Sequence, residues 1–288
     1  PLGANSCKGE FCMECKVRDL TIYYETHGTG TPILMIHGWS PDHRLMKGCM
    51  EPIFRQIDAS WQRIYFDLPG MGKTKGQPWI TGTDQMLDVV LEFIDETIPN
   101  QRFVVAGESY GGYLARGVIK ERPALVDGLL LICPVAIQET CSDNAPALQV
   151  LEKDEAFLNS LSEEERQYFE GINVIQNERV WERFREEVLP GLEMADYAFL
   201  ENSLGQHVPY SVNVDQIEKP YTQPTLMIMG RQDSVVGYCD HWQLIENYPR
   251  ASFVILDKAG HNLQIEQDVL FSALVKEWLD RVLAEAKL

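Results

Sequence analysis

Five consecutive residues carry the sharpest chemical signal in the chain, Gly107-Glu108-Ser109-Tyr110-Gly111, with Gly112 behind them. They follow an apolar run at 102–106 and precede a stretch of helical period. A serine at such a strand-to-helix turn sits on a tight bend. Glycines two before and two after it let the backbone pass close, and its hydroxyl stands clear of the sheet edge. At neutral pH a serine hydroxyl is a feeble nucleophile, so it needs a base within hydrogen-bond reach and an acid to orient that base. Two later apolar runs end in loops that hold both types. The run 225–229 leads into Gly230-Arg231-Gln232-Asp233, and 252–256 leads into Asp257-Lys258-Ala259-Gly260-His261. Both loops belong on the carboxyl edge that carries the serine. Ser109 is therefore expected as nucleophile, His261 as base and Asp233 as orienting acid. Asp257 lies on the histidine's own loop only four residues ahead of it, which makes it a poor orienter.

A tetrahedral intermediate also needs two backbone N–H donors aimed at its oxyanion. One is expected from Tyr110, directly after the nucleophile. The other is expected from Trp39, in the loop His37-Gly38-Trp39-Ser40 that follows the run 33–36. His37 then sets the loop and is no base. His27, His43, His207 and His241 fall outside any strand-end loop of the right order and read as packing or surface residues. The stretch Asp67-Leu68-Pro69-Gly70-Met71-Gly72-Lys73-Thr74 mimics a phosphate loop, but such a loop needs glycine where Asp67 stands, and Pro69 removes a backbone donor.

These loops need a scaffold. Short runs rich in β-branched residues recur at 16–19, 21–26, 33–36, 63–66, 102–106, 128–133, 225–229 and 252–256, alternating with helical patterns near 45–57, 83–97, 111–122, 238–247 and 267–286. That alternation predicts an α/β fold, a mostly parallel, doubly wound sheet. The rhythm breaks at 134–220, which holds no convincing strand and carries 18 acidic against 6 basic residues. It is expected to be an inserted helical cap, with a helix starting at Ser162-Glu163-Glu164-Glu165 and its acids solvated on an outer face. Residues 13–133 and 221–288 then form the core. Residues 1–12 read as a tag or linker remnant, with Met13 as the expected start and no secretory leader ahead of it. Trp181, Phe184, Tyr197 and Phe199 are the candidate substrate-binding wall of the cap.

The serine turn, the His-Gly loop, the Asp-Leu-Pro-Gly-Met-Gly turn and the late Asp and His, taken together, resemble the α/β-hydrolase superfamily from about Lys16 to the C-terminus. The resemblance implies the α/β-hydrolase fold. Because the nucleophile is a serine, it implies cleavage of an ester, thioester, amide or activated carbon–carbon bond. The single glycine of the His37 loop is similar to that of small-molecule esterases, lactonases and carbon–carbon hydrolases. Proline iminopeptidases are similar in cap placement, but their usual Gly-Gly-Pro loop is absent here. The expected function is a cofactor-independent, carboxylesterase-like serine hydrolase acting on a small, mostly neutral acyl substrate. An aminopeptidase, a carbon–carbon hydrolase and a slowly turning ligand sensor stand as alternatives.

The 288 residues carry 43 Asp and Glu against 25 Lys and Arg, a net charge of −18 that repels phosphate, so no nucleic acid and no membrane surface is expected as partner. Seven cysteines, an odd and scattered set, are no disulfide framework and fit a cytoplasmic location. Cys12 and Cys15 lack the second pair that a structural zinc site needs, so no metal is expected. Oligomeric state is not legible in the sequence.

Overall fold

A computed structural model describes residues 6–7, 10–136, 145–201 and 209–285, with side chains from residue 13 onward. Cys141 and His207 lie outside the described residues. The N-terminal half runs β1 (Ser6–Cys7), β2 (Glu10–Val17), β3 (Leu20–His27), β4 (Thr31–Ile36), α1 (His43–Phe54), β5 (Trp61–Phe66), α2 (Thr83–Thr97), β6 (Phe103–Glu108), α3 (Tyr110–Glu121) and β7 (Val126–Ile132). These strands, with β10 (Thr225–Gly230) and β11 (Ala251–Leu256), form one nine-stranded sheet in the order β1-β2-β3-β5-β4-β6-β7-β10-β11. The pairs from β5 to β11 are parallel, while β1, β2 and β3 are antiparallel. The fold is α/β and mostly parallel, with strands β4, β6, β7 and β10 buried on both faces as near-continuous apolar runs. The first strand pair extends beyond the expected bounds. Pairing starts at Glu10, ahead of Met13, with Glu10 opposite His27.

From β4 the chain crosses to β5 on one side, and β6 returns to β4 on the other. The strand order therefore reverses between β4 and β6, and loops leaving their carboxyl ends diverge around a crevice. The His37 loop follows β4 and Ser109 follows β6. The Asp233 loop follows β10 and the His261 loop follows β11, on the same edge.

Between β7 and β10 lie β8 (Glu152–Lys153), α4 (Glu155–Leu158), α5 (Glu163–Glu170), β9 (Ile175–Gln176), α6 (Glu178–Glu187), α7 (Leu189–Met194) and α8 (Tyr197–Phe199). Among the described residues, the regular structure of this insertion is helical apart from the short parallel pair β8–β9, in which each strand has only two residues, too few to show as a sequence pattern. α5 starts with a capping box. The Ser162 hydroxyl accepts from the Glu165 amide at 3.3 Å, and the Glu165 carboxylate accepts from the Ser162 amide at 2.9 Å. Phe169, Val180, Trp181, Phe184, Val188 and Leu189 form a small core of their own, joined by Leu45 of α1 and by Ile265. These two residues seat the insertion over the carboxyl edge of the sheet.

The last part of the chain holds a 3-10 helix at Asp240–Asn247, α9 (Leu263–Glu266) and α10 (Asp268–Glu285). No helix among the described residues is long and apolar enough to cross a membrane. Cys15, Cys49 and Cys133 are buried free thiols, and Cys239 is a free thiol at the surface.

Candidate active site

Ser109 stands between β6 and α3 with φ 51° and ψ −116°, a left-handed conformation that costs a non-glycine residue free energy and that the surroundings must enforce. Its amide donates to the Ile132 carbonyl at 2.9 Å, and its carbonyl accepts from Gly112, Tyr113 and Val135. Glycine is required on both sides. A Cβ at Gly107 would collide with the Gly111 carbonyl, and one at Gly111 would collide with the Ile36 carbonyl. The bend thereby presents the serine oxygen at the crevice, where the residue as a whole is only 6% exposed.

His261 Nε2 lies 2.9 Å from Ser109 Oγ, and His261 Nδ1 lies 2.9 Å from Asp233 Oδ2. The other Asp233 oxygen accepts from the amides of Val235 and Val236 at 2.9 and 3.1 Å. Those partners assign the imidazole tautomer: Nδ1 carries the proton given to Asp233, and Nε2 is left to accept from the serine. Burial alone would raise the Asp233 carboxyl, but the His261 charge, its hydrogen bond and the two amides outweigh that and hold it below its ordinary value. For His261 burial works against the charged ring. The Asp233 charge and hydrogen bond, with the Glu108 and Glu266 carboxylates, overcome it and lift the ring from 6.5 to about 9.

The Asp233 and His261 loops are bound to each other. Gln232 N donates to Ala259 O at 2.9 Å, Ala259 N donates to Gln232 Oε1 at 3.2 Å, and Arg231 N donates to Leu256 O at 2.8 Å. Gly230 packs so closely on the Ala259 and Gly260 backbone that no side chain fits there. Asp257 accepts from Gln232 Nε2 at 2.9 Å and so helps to hold the loops. Its sequence proximity to His261 does not bring its carboxylate to the ring.

The side chains of Trp39 and Tyr110, whose amides are the two candidate oxyanion donors, meet edge to face with ring centroids 5.2 Å apart. His37 is fully buried, and burial pushes its ring below 6.5. Its Nε2 accepts from the Leu68 amide at 3.0 Å, and its Nδ1 donates to the Gly38 carbonyl at 2.8 Å. The ring thus ties the β4 loop to the turn at 67–74. That turn wraps a carboxylate where a phosphate loop would hold its ligand. Asp67 accepts from the His43 and Lys73 amides at 2.9 and 2.8 Å.

A cavity of about 530 Å³ opens above Ser109, lined by Trp39, Pro41, Leu45, Phe184, Val188 and Leu192 among others. Of the four aromatic residues expected to wall it, Phe184 does so. Trp181 instead lies in the insertion's own core against Phe169 and Phe184, because it and Phe184 share the buried face of α6. Phe199 packs over Gly70 and Gly76, and Tyr197 is 41% exposed. α8 is one turn long and leans on the 67–76 segment, which takes both residues away from the cavity.

Two buried carboxyls beside the site had no motif to announce their roles. Glu266 Oε1 accepts from Val174 N at 2.6 Å and Ile175 N at 3.2 Å, while its Oε2 accepts from Gly260 N at 2.6 Å. It therefore bolts the insertion to the loop that bears His261, reinforced by the Asn262 Nδ2 bond to Asn173 Oδ1 at 3.0 Å. Its two partners in the insertion lie about ninety residues away in the chain, so no spacing could reveal the bridge. Glu108 is the variable position of the serine turn and lines the cavity.

The sequence model of the α/β hydrolase fold family matches residues 31–268. The chain belongs to that family. Among the curated α/β-hydrolase relatives is the pimeloyl-acyl-carrier-protein methyl ester esterase of Legionella pneumophila (strain Paris), 26% identical over 260 residues that span 90% of this chain and 100% of the relative. The corresponding esterase of Aeromonas salmonicida is 26% identical over 89% of this chain and 98% of its own. Among solved structures, an α/β superfamily hydrolase from Oenococcus oeni is 30% identical, with a TM-score of 0.82 over 94% of this chain and 99% of its own. These relatives support a hydrolase of the esterase type.

Proposed function

We propose that the protein is a carboxylic ester hydrolase that works through an acyl-enzyme on Ser109. The observation that carries this reading is the hydrogen-bonded series Ser109 Oγ, His261 Nε2, His261 Nδ1 and Asp233 Oδ2, with 2.9 Å at both bonds and the serine held in its strained turn. Ser109 attacks the ester carbonyl while His261 takes its proton, and Asp233 stabilises the imidazolium that forms. His261 then gives the proton to the departing alcohol. Water repeats the cycle on the acyl-enzyme and releases the acid. The amides of Trp39 and Tyr110 receive the negative oxygen. No step calls for a cofactor.

The helical insertion serves as the cap of this site, and Trp39, Leu45, Phe184, Val188 and Leu192 suit a short apolar acyl chain. Among the described residues, twelve of the insertion's carboxylates, including those on Glu152, Asp154, Glu155, Glu164, Glu178 and Glu182, are exposed, which favours a neutral substrate over one held by inward acids. Glu164 alone of these reaches the cavity lining, and it keeps an amine-bearing substrate as the second reading. The test is kcat/KM on a series of p-nitrophenyl and methyl esters of short acids beside a matched alanyl or prolyl arylamide. Turnover of the esters, abolished in Ser109→Ala, is expected. A tenfold preference for the arylamide would replace the esterase reading with the aminopeptidase one.

A further inference from the structure

Glu108 precedes the nucleophile, is 3% exposed and points its carboxyl into the same cavity as Ser109 and His261. Its Oε1 lies 3.5 Å from His261 Nε2, the nitrogen that bonds Ser109 Oγ. Its Oε2 fills the space where a Cβ on Gly38 would stand, so the carboxyl is wedged between the imidazole and the loop that carries Trp39. The side of Nε2 away from Asp233 therefore faces two groups, a hydroxyl and a carboxyl. Among the described residues, the cavity lining holds Glu108 and Glu164 and no lysine or arginine.

We propose that Glu108 is a second counter-charge of the catalytic imidazole, acting on the proton-carrying Nε2 from the cavity side, and that it limits the leaving-group side of the cavity to neutral or cationic alcohols. The proposal rests on the esterase reading for its second half only. When Ser109 attacks, the proton moves from Oγ to Nε2 and the ring becomes a cation between two carboxylates, Asp233 on Nδ1 and Glu108 on Nε2. Both attract it in a cavity where water screens little. The same proton must pass to the leaving oxygen, which has to approach Nε2 to within roughly 3.2 Å. Given the 3.5 Å from Nε2 to Glu108, that oxygen stands within about 7 Å of the carboxyl. A negative group on the departing alcohol is repelled there.

The charges around the pair are few. His261 faces Asp233, Glu108 and Glu266, and the Cys133 thiol lies near it. Glu108 faces His261 and Asp233, with Cys49 and Cys133 behind it. Burial pushes both thiols up, so they are neutral. Burial also raises Glu108 itself to about 7, with the His261 charge opposing and the Asp233 charge adding. Glu108 accordingly gains its charge across the neutral range, and with it the hold on the imidazolium.

The test uses Glu108→Gln, which keeps the shape and removes the charge. The rate at which a neutral fluorophosphonate labels Ser109 is followed against pH, a readout that needs no substrate. Its midpoint should fall by half a unit or more in the variant, and the plateau at high pH should drop as the imidazolium loses a partner. In parallel, kcat/KM is measured for a nitrophenyl acetate bearing a ring carboxylate and for its carboxamide twin. The preference for the carboxamide should shrink at least fivefold in the variant, intrinsic reactivity cancelling in the ratio. Glu108→Asp, with the charge drawn back by one methylene, should shift the midpoint in the same direction by less, and it carries the test if the glutamine variant does not fold. A midpoint within 0.2 unit of the wild type overturns the counter-charge, and an unchanged preference overturns the leaving-group restriction. If the wild type cleaves neither ester, the esterase reading and the restriction fail together, while the labelling midpoint still decides on the counter-charge.

Discussion

Two buried histidines in this protein sit beside acidic side chains, and one of them, His261, faces the proposed nucleophile. His43, at the start of α1, has Nδ1 2.7 Å from Asp67 and Nε2 3.1 Å from Glu25. Glu25 in turn reaches His27 and Lys47. His261 has the same arrangement at Nδ1, but its Nε2 meets a serine hydroxyl at an open cavity. Burial opposes the charge on both rings. Hydrogen bonds and charges from Asp67 and Glu25 overcome it at His43, and Asp233 leads at His261, so both are pushed to about 9. Residue type and basicity therefore do not separate His43 from the proposed catalytic base. What separates them is whether the second nitrogen is saturated by carboxylate or left to a hydroxyl that substrate can reach.

The largest effects should fall on the His261 side of that comparison. Ser109→Ala is expected to lower kcat by roughly 10⁴ to 10⁶ while leaving the thermal melt intact, since the triad acts as a unit. A variant that keeps more than about a hundredth of the rate would show that the nucleophile lies elsewhere. Asp233→Asn should cost about 10⁴ by favouring the wrong tautomer, whereas Asp257→Asn, which loses only its bond to Gln232, should stay close to wild type. If the two aspartates exchange these outcomes, the orienting acid has been misassigned.

The pH profile sharpens the same contrast. The ring must be neutral to accept the serine proton, so kcat/KM should rise with pH through a midpoint near 9, well above the 6.5 of a free imidazole. A midpoint at or below 7 would mean that the surrounding carboxylates do not act on the imidazole as their distances imply. Glu266→Gln removes a carboxylate that accepts from three amides, one of them beside His261. The amide oxygen of glutamine can satisfy only one side of that bridge. About a tenfold fall in kcat is expected, since small displacements of a catalytic base are costly. Restoration of the rate by Glu266→Asp would point to the charge as the part that matters.

The smallest change in turnover should come from His43→Gln, on the other side of the comparison. It leaves Asp67 buried without its cation, while Glu25 keeps Lys47, at a cost of about 3–5 kcal/mol in stability. Because the folded His43 is raised, its stabilisation is complete below pH 6.5 and disappears as pH climbs through about 9. His261 is raised in the same way, so the variant should have a lower melting temperature and a weaker, not absent, decline over that window. An unchanged melt would make the His43 cluster energetically idle.

The sequence by itself determined the parts of the protein that are local. The strand-to-helix serine turn is written in a pattern of glycines that spans five residues; Gly107 is required by a carbonyl four residues on, Gly111 by the neighbouring β4, and the pattern was readable without a fold. The alternation of apolar runs and helical periods was enough for the parallel sheet, since strands buried on both faces must be apolar throughout. Ser162 and Glu165 announced a helix start for the same reason, because a capping box is completed within one turn. Basicity was not legible: the ring of His261 answers to Glu108, 153 residues away, and to Asp233 on the loop after β10. Nor could the sequence tell which aromatic residues of the insertion face the cavity. Trp181 and Phe184 share one helix face, and only the packing of that face against Leu45, Phe169 and Ile265 turned one inward to the insertion's core and left the other on the cavity wall. Glu266 is the clearest case of all. A carboxylate satisfied by backbone amides has no partner side chain to leave a signature, so its place between the insertion and the His261 loop was decided by the tertiary structure alone.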